Sequence, residues 1–130
     1  MPELLIATNN KGKIREYRDL LRGIHFNLVT PEEKDLHLEV AETGSTFEEN
    51  ARLKAAAFAR ASGLLTLADD SGLEVDALHG EPGIRSSRYA GEGATDADRV
   101  RFLLAKLQGI PWEKRTAHFI CVIAIARPEG

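Results

Sequence analysis

Two adjacent carboxylates, Asp69 and Asp70, stand with Ser71 and Gly72 directly after the apolar run Leu64-Leu65-Thr66-Leu67-Ala68. Burying an ionised carboxylate is costly unless it is paired, hydrogen-bonded or bound to a cation. Two of them where a core strand should end therefore need a reason. One is a turn after the strand, in which Asp and Ser bond local backbone groups. The other is a metal or catalytic site, for which Glu39 and Glu42 are acidic candidates elsewhere in the chain.

A second cluster is Thr8-Asn9-Asn10-Lys11-Gly12-Lys13. It follows a short apolar strand pattern at 3–7 and precedes a helical pattern carried by Ile14, Tyr17, Leu20 and Leu21, with Gly23 as its stop. A strand-to-helix junction offers free backbone N–H groups and the positive end of the helix dipole, which together suit an anion. Lys11 and Lys13 add positive charge there, and the two asparagines offer amide donors and tolerate left-handed turns. The spacing and the Gly-Lys-Ser/Thr ending of a Walker A loop are absent. The plainer alternative is a capped helix start with solvated lysines. A third pair, Asn50 and Lys54, lies four apart on a helical pattern and so projects from one helix face.

The totals bound these readings. A chain of 130 residues is long enough for one domain with its own core. A net charge of -3 supplies no global basic field for nucleic acid, although local clusters remain possible. The single cysteine, Cys121, cannot form an internal disulfide and fits a reducing, cytoplasmic setting. No apolar stretch reaches the roughly 18 residues of a membrane span, and the N-terminus lacks a signal-peptide pattern.

The remaining elements follow in order. Residues 25–29 read as a strand, and Leu36, Leu38 and Val40 alternate with polar residues as in a strand exposed on one face. Thr46 and Glu49 form a capping-box pair opening a helix to Ser62, and Gly63 ends it. Its stripe of Ala51, Ala55, Phe58, Ala59 and Ser62 is narrow enough to pack closely on a sheet. Leu73, Val75, Ala77 and Leu78 suggest a further short strand, and 80–91 reads as an irregular loop in which Arg85 and Arg88 could meet phosphate or a partner subunit. Thr95 caps a helix whose Val100, Leu103, Leu104 and Leu107 form an apolar stripe. The near-continuous apolar run at 116–126 suits a central strand covered on both faces. The alternation of strands and helices predicts a single α/β domain over 1–130 with a mixed sheet. A long apolar strand so close to Gly130 further suggests the N-terminal portion of a longer domain.

Four segments together carry a family resemblance: Thr8 to Lys13, Glu49-Asn50-Ala51-x-x-Lys54-Ala55, Ala68-Asp69-Asp70-Ser71-Gly72, and Pro82-Gly83-x-x-Ser86-Ser87-Arg88-Tyr89-Ala90-Gly91. In this order they resemble the inosine/xanthosine triphosphate pyrophosphatases, over residues 1–126. The resemblance implies an elongated mixed β-sheet flanked by helices, split into two lobes with a central cleft, and a homodimer. It implies Mg2+-dependent hydrolysis of ITP, dITP and XTP to the monophosphate and pyrophosphate. Thr8, Asn9, Asn10, Lys11, Gly12 and Lys13 would then hold the triphosphate, with Lys54 on phosphate and Ser71 on substrate. Asp70 would be general base and metal ligand, with Glu39 or Glu42 as the second acidic ligand and Glu39 the first choice. The family's Gly-Phe-Gly-Tyr-Asp-Pro and Ser-His-Arg motifs, which help build the base pocket, do not occur in this sequence. A module that holds a triphosphate without cleaving it is the alternative class.

Overall fold

The computed structural model describes residues 1–91 and 93–129. Its strands are β1 (Glu3–Ile6), β2 (Asn27–Val29), β3 (Leu65–Val75) and β4 (Ala117–Ala126), and its helices are α1 (Lys11–Leu20), α2 (Phe47–Ser62) and α3 (Asp96–Lys106). They form a mixed four-strand sheet flanked by helices, in the order β2-β1-β3-β4. β1 runs parallel to both of its neighbours, with Leu5 opposite Val29 on one side and Thr66 on the other. The chain forms two compact units, residues 1–70 with 122–130, and residues 71–121.

The first unit is a pair of helical crossovers on a short sheet. From β1 the chain passes through α1 to β2, then through α2 to β3 on the far side of β1. Because parallel crossovers are right-handed, this reversal puts α1 and α2 on opposite faces of the sheet. The side chains obey that geometry, since successive strand residues point to opposite faces. Leu4, Ile6 and Leu67 pack with Tyr17 of α1, while Leu5, Ala7, Val29 and Ala68 pack with Ala55 and Phe58 of α2. Each cluster is built from alternate residues of the same strands. The expected alanine stripe of α2 is buried, with Ala51, Ala55 and Ala59 all at most 1% exposed.

Local signals place the helix ends. Asn10 caps α1 through its own side chain, which accepts from Lys13 N–H, so the helix opens at Lys11 rather than near Lys13. Asn10 itself is extended (φ -75°, ψ 111°), not left-handed. Thr46 caps α2 by accepting from Glu49 N–H, and Gly63 closes it in the left-handed region at φ 71°. The capping box is displaced by one residue, because the Glu49 carboxylate accepts from Ser45 N–H instead of Thr46 N–H.

Several sequence expectations are corrected. The strand expected at 25–29 is only Asn27–Val29. Residues 36–40 are not a strand, although Leu36, Leu38 and Val40 are half-buried against the α2-side core and His37 and Glu39 are exposed. Their period of two reports which way side chains face, and a ladder partner is a separate requirement. β3 continues unbroken through Asp69, Asp70, Ser71 and Gly72 to Val75, so the carboxylates lie inside a strand and not at its end. The region 80–91 is partly regular, with a 3-10 helix at Gly83–Arg88. β4 stands at the sheet edge, and Phe119, Ile123 and Ile125 are 52–68% exposed, so it is not covered on both faces. An apolar run cannot specify whether a second layer lies over it. In the second unit, Thr95 and Asp98 form a true capping box on α3. Of the apolar stripe there, Leu107 is buried while Val100 and Leu104 are exposed.

Leu5, fully buried between both neighbouring strands, gives the test of this core. Leu5→Ala should lower the unfolding free energy by about 2–5 kcal/mol in a urea titration, the usual cost of such a cavity. A loss under about 1 kcal/mol would mean the sheet centre is not packed as described.

Candidate functional site

Reversal of the strand order creates a switch point between β1 and β3, and open α/β sheets bind ligands beyond the carboxyl ends of strands at such points. The segment leaving β1 there is Thr8-Asn9-Asn10, leading into the first turn of α1. Asn10 N–H donates to Thr8 Oγ1, which tightens this turn. The first-turn amides of Lys11 and Gly12 have no intrahelical acceptor. Together with the helix dipole, they make this end of α1 electropositive.

The strand period separates the two buried carboxylates. Asp69 and Asp70 are 5% and 8% exposed, and as neighbours in β3 they face opposite sides of the sheet. Asp69 falls on the α1 side. Tyr17 Oη donates to its Oδ2 at 2.7 Å, and Lys13 Nζ pairs with its Oδ1 at 3.2 Å. Tyr17 and Lys13 are four apart in α1, so one helix face supplies both partners. Asp69 is thereby compensated, and its main-chain carbonyl accepts from Lys54 Nζ at 3.0 Å.

Asp70 falls on the α2 side, in different surroundings. Lys54 Nζ pairs with Glu42 Oε1 at 2.9 Å, and both side chains are largely buried. Asn50 is completely buried, and its Oδ1 accepts from Gly44 N–H at 2.8 Å. Burial pushes the Asp70 carboxyl above its ordinary value of 3.8, and the Glu42 charge adds to that rise. The Asn50 amide and the charges of Lys54 and Lys13 oppose it. Asn50 thus stands close enough to favour the charged form, yet Asn50 Nδ2 and Asp70 Oδ2 are both buried without a hydrogen-bond partner.

The structure brings some predicted residues together and leaves others apart. Thr8, Asn9 and Lys54 line one small cavity of about 180 Å3 with Ala7, Leu38, Val40 and Phe58. Glu42 stands beside Asp70 and Lys54. Glu39 is exposed and lines another cavity, of about 570 Å3, with Asn9, Glu32, Leu36, His37 and Leu38. Asn10 spends its side-chain oxygen on the helix cap, and Lys13 its ammonium on Asp69. Ser71, half-buried in β3, begins the second unit. Tyr17 was legible only as an apolar helix position. The four-residue spacing of Lys13 and Tyr17, matching that of Asn50 and Lys54, is the signal that marks it.

Among the described residues, no cluster of three or more His, Cys, Asp or Glu side chains could hold a metal. Magnesium is commonly held by one or two carboxylates with waters and substrate phosphates completing its shell. Asp70, with its unpartnered oxygen, and Glu42 fit that donor set, whereas a closed site made wholly of protein ligands does not.

The raised pKa has a consequence for stability. A carboxyl with a higher pKa folded than unfolded favours folding below its unfolded pKa, and that contribution is lost as pH rises through the folded pKa. Ionised Asp70 therefore costs stability at neutral pH. Asp70→Asn should melt higher than the wild type at neutral pH, and the gain should shrink as the pH falls toward the acid range. Paired melting curves across pH check this, and a variant that melts lower at neutral pH would contradict it.

A model of the Ham1 family matches residues 4–130 of the chain. Among curated relatives, the dITP/XTP pyrophosphatase of Geobacter sulfurreducens is 50% identical over 130 residues, which are 100% of this chain and 65% of that protein. The dITP/XTP pyrophosphatase of Vibrio vulnificus is also 50% identical, over 100% of this chain and 64% of its own length. Among solved structures, a HAM1 protein from Coxiella burnetii superposes with a TM-score of 0.89 at 42% identity, over 99% of this chain and 66% of that one. The Staphylococcus aureus Ham1 protein gives 0.84 at 45% identity, over 98% and 65%. The chain thus spans about 65% of the length of the curated relatives it matches. With the family model matching almost from end to end, and whole-chain relatives at half identity, the chain belongs to the Ham1 family.

Proposed function

We propose that this chain carries the phosphate-handling side of a nucleoside triphosphate pyrophosphatase that removes non-standard purine nucleotides (ITP, dITP and XTP) from the nucleotide pool. The observation that carries the reading is the buried Asp70, its Oδ2 unpartnered, beside the Lys54–Glu42 pair. The anion-binding start of α1 and the names of the dITP/XTP pyrophosphatase relatives support it.

In this reading the triphosphate lies at the first-turn amides of Lys11 and Gly12, with Thr8, Asn9, Asn10 and Lys13 shaping the turn and its charge. Lys54 keeps a third donor beyond Glu42 and the Asp69 carbonyl, and it meets a phosphate oxygen. Ser71 is a further substrate contact. Asp70 orients a water and takes its proton as the water oxygen attacks the α-phosphorus. A new P–O bond forms, the bridging α–β P–O bond breaks, and pyrophosphate leaves with the bonding pair. Asp70 and Glu42, more than Glu39, would hold Mg2+, which when bound supplies neutralisation of the developing phosphate charge. Asp69, already saturated by Tyr17 and Lys13, fixes the strand without taking part in chemistry.

A phosphate assay run with and without added inorganic pyrophosphatase tests this. The chain should give phosphate from ITP or XTP only when the helper enzyme is present, and far less from ATP. Phosphate without the helper would indicate a phosphatase, and none in either arm a binding module. Asp70→Asn should lower the rate by about 100- to 10,000-fold, the span of a general base's contribution, with folding retained. Mg2+ should raise the melting temperature of the wild type and not that of Asp70→Asn. Near-normal pyrophosphate release by the variant would remove Asp70 from this role.

A further inference from the structure

The deepest polar side chain beside Asp70 is Asn50, which is fully buried. Its carbonyl is committed, because Oδ1 accepts from Gly44 N–H at 2.8 Å. A main-chain N–H can only donate, so this bond fixes which end of the amide is which and leaves Nδ2 to the Asp70 side. The approach is close enough to require glycine. A Cβ on Gly44 would stand 2.7 Å from Asn50 Oδ1 and 2.6 Å from Glu49 Cβ.

Two buried atoms then lack partners, a donor (Asn50 Nδ2) and an acceptor (Asp70 Oδ2). A cation at Asp70 would satisfy the oxygen but not the N–H, which needs a lone pair. One water satisfies both, accepting from Nδ2 and donating to Oδ2, and buried waters commonly have two to four such partners. We infer that Asn50 holds, together with Asp70, the water that Asp70 activates, which makes Asn50 a catalytic residue. The inference rests on the reaction proposed above. Asn50 orients the water's oxygen while its proton passes to Asp70, and the same Oδ1 bond to Gly44 keeps the loop carrying Glu42 in place.

A high-resolution crystal structure of the chain should show one water within hydrogen-bond reach of both Asn50 Nδ2 and Asp70 Oδ2. A direct bond between those two atoms, or separate protein partners for each, would overturn the inference. Asn50→Asp keeps an acceptor for Gly44 N–H but removes the donor. It should lower kcat by about tenfold or more, with KM for the nucleotide changed less than about threefold. Asn50→Ala, which also frees Gly44 N–H, should lose at least as much kcat, and calorimetry on Asn50→Asp should find its Mg2+ affinity not weakened. A wild-type kcat in Asn50→Asp would overturn the role, as would a fall in Mg2+ affinity that matches the fall in kcat. If the water is present but wild type releases no pyrophosphate, the reaction reading fails and the water site stands. If wild type turns over and the water is absent, the inference alone fails.

Discussion

A β-strand turns consecutive side chains to opposite faces, and at Asp69 and Asp70 that constraint divides a pair of like charges into two sites. Side by side on one face, two buried carboxylates would repel each other and share whatever cations were available. In β3 they meet different helices. Asp69 is closed by Tyr17 and Lys13 of α1, while Asp70 sits under α2 with Asn50, Lys54 and Glu42. Lys54 links the halves, since it bonds the Asp69 carbonyl as well as Glu42. The compensated carboxylate anchors the strand, and the other keeps a buried oxygen without a hydrogen-bond partner.

The same alternation organises the core of the first unit. Odd and even residues of β1 feed different clusters, one under Tyr17 and one under Ala55 and Phe58. Alanines at 51, 55 and 59 bring α2 close to the sheet, and that closeness carries Asn50 and Lys54 down to Asp70. Gly44 completes the approach from the loop before α2, where any side chain would collide with Asn50. Packing and site are thus one arrangement of small residues around a buried strand.

Where the sequence misled, the reason was that periodicity reports facing and not partners. Leu36, Leu38 and Val40 bury alternately as expected, yet they join no ladder among the described residues. The apolar run of β4 looked central because hydrophobic content carries no information about a second covering layer, and Phe119, Ile123 and Ile125 are exposed. α3 shows the same failure, with a well-formed capping box and an amphipathic stripe in which Val100 and Leu104 are exposed. Capping chemistry was read well at Thr46, Gly63 and Thr95, because a cap is satisfied within a few residues of its own position.

By itself the sequence determined the α/β alternation, the helix ends, the polar turn after β1 and the presence of two carboxylates that needed explaining. These depend on propensity and on contacts between residues near in sequence. Only the tertiary structure decided that the carboxylates lie inside a strand, that Tyr17 serves Asp69, and that Glu42 rather than Glu39 stands by Asp70. Each of those facts joins residues from separate elements, about 30 to 50 positions apart, through the order in which parallel strands assemble. A linear pattern holds no record of that order until the chain has closed on itself.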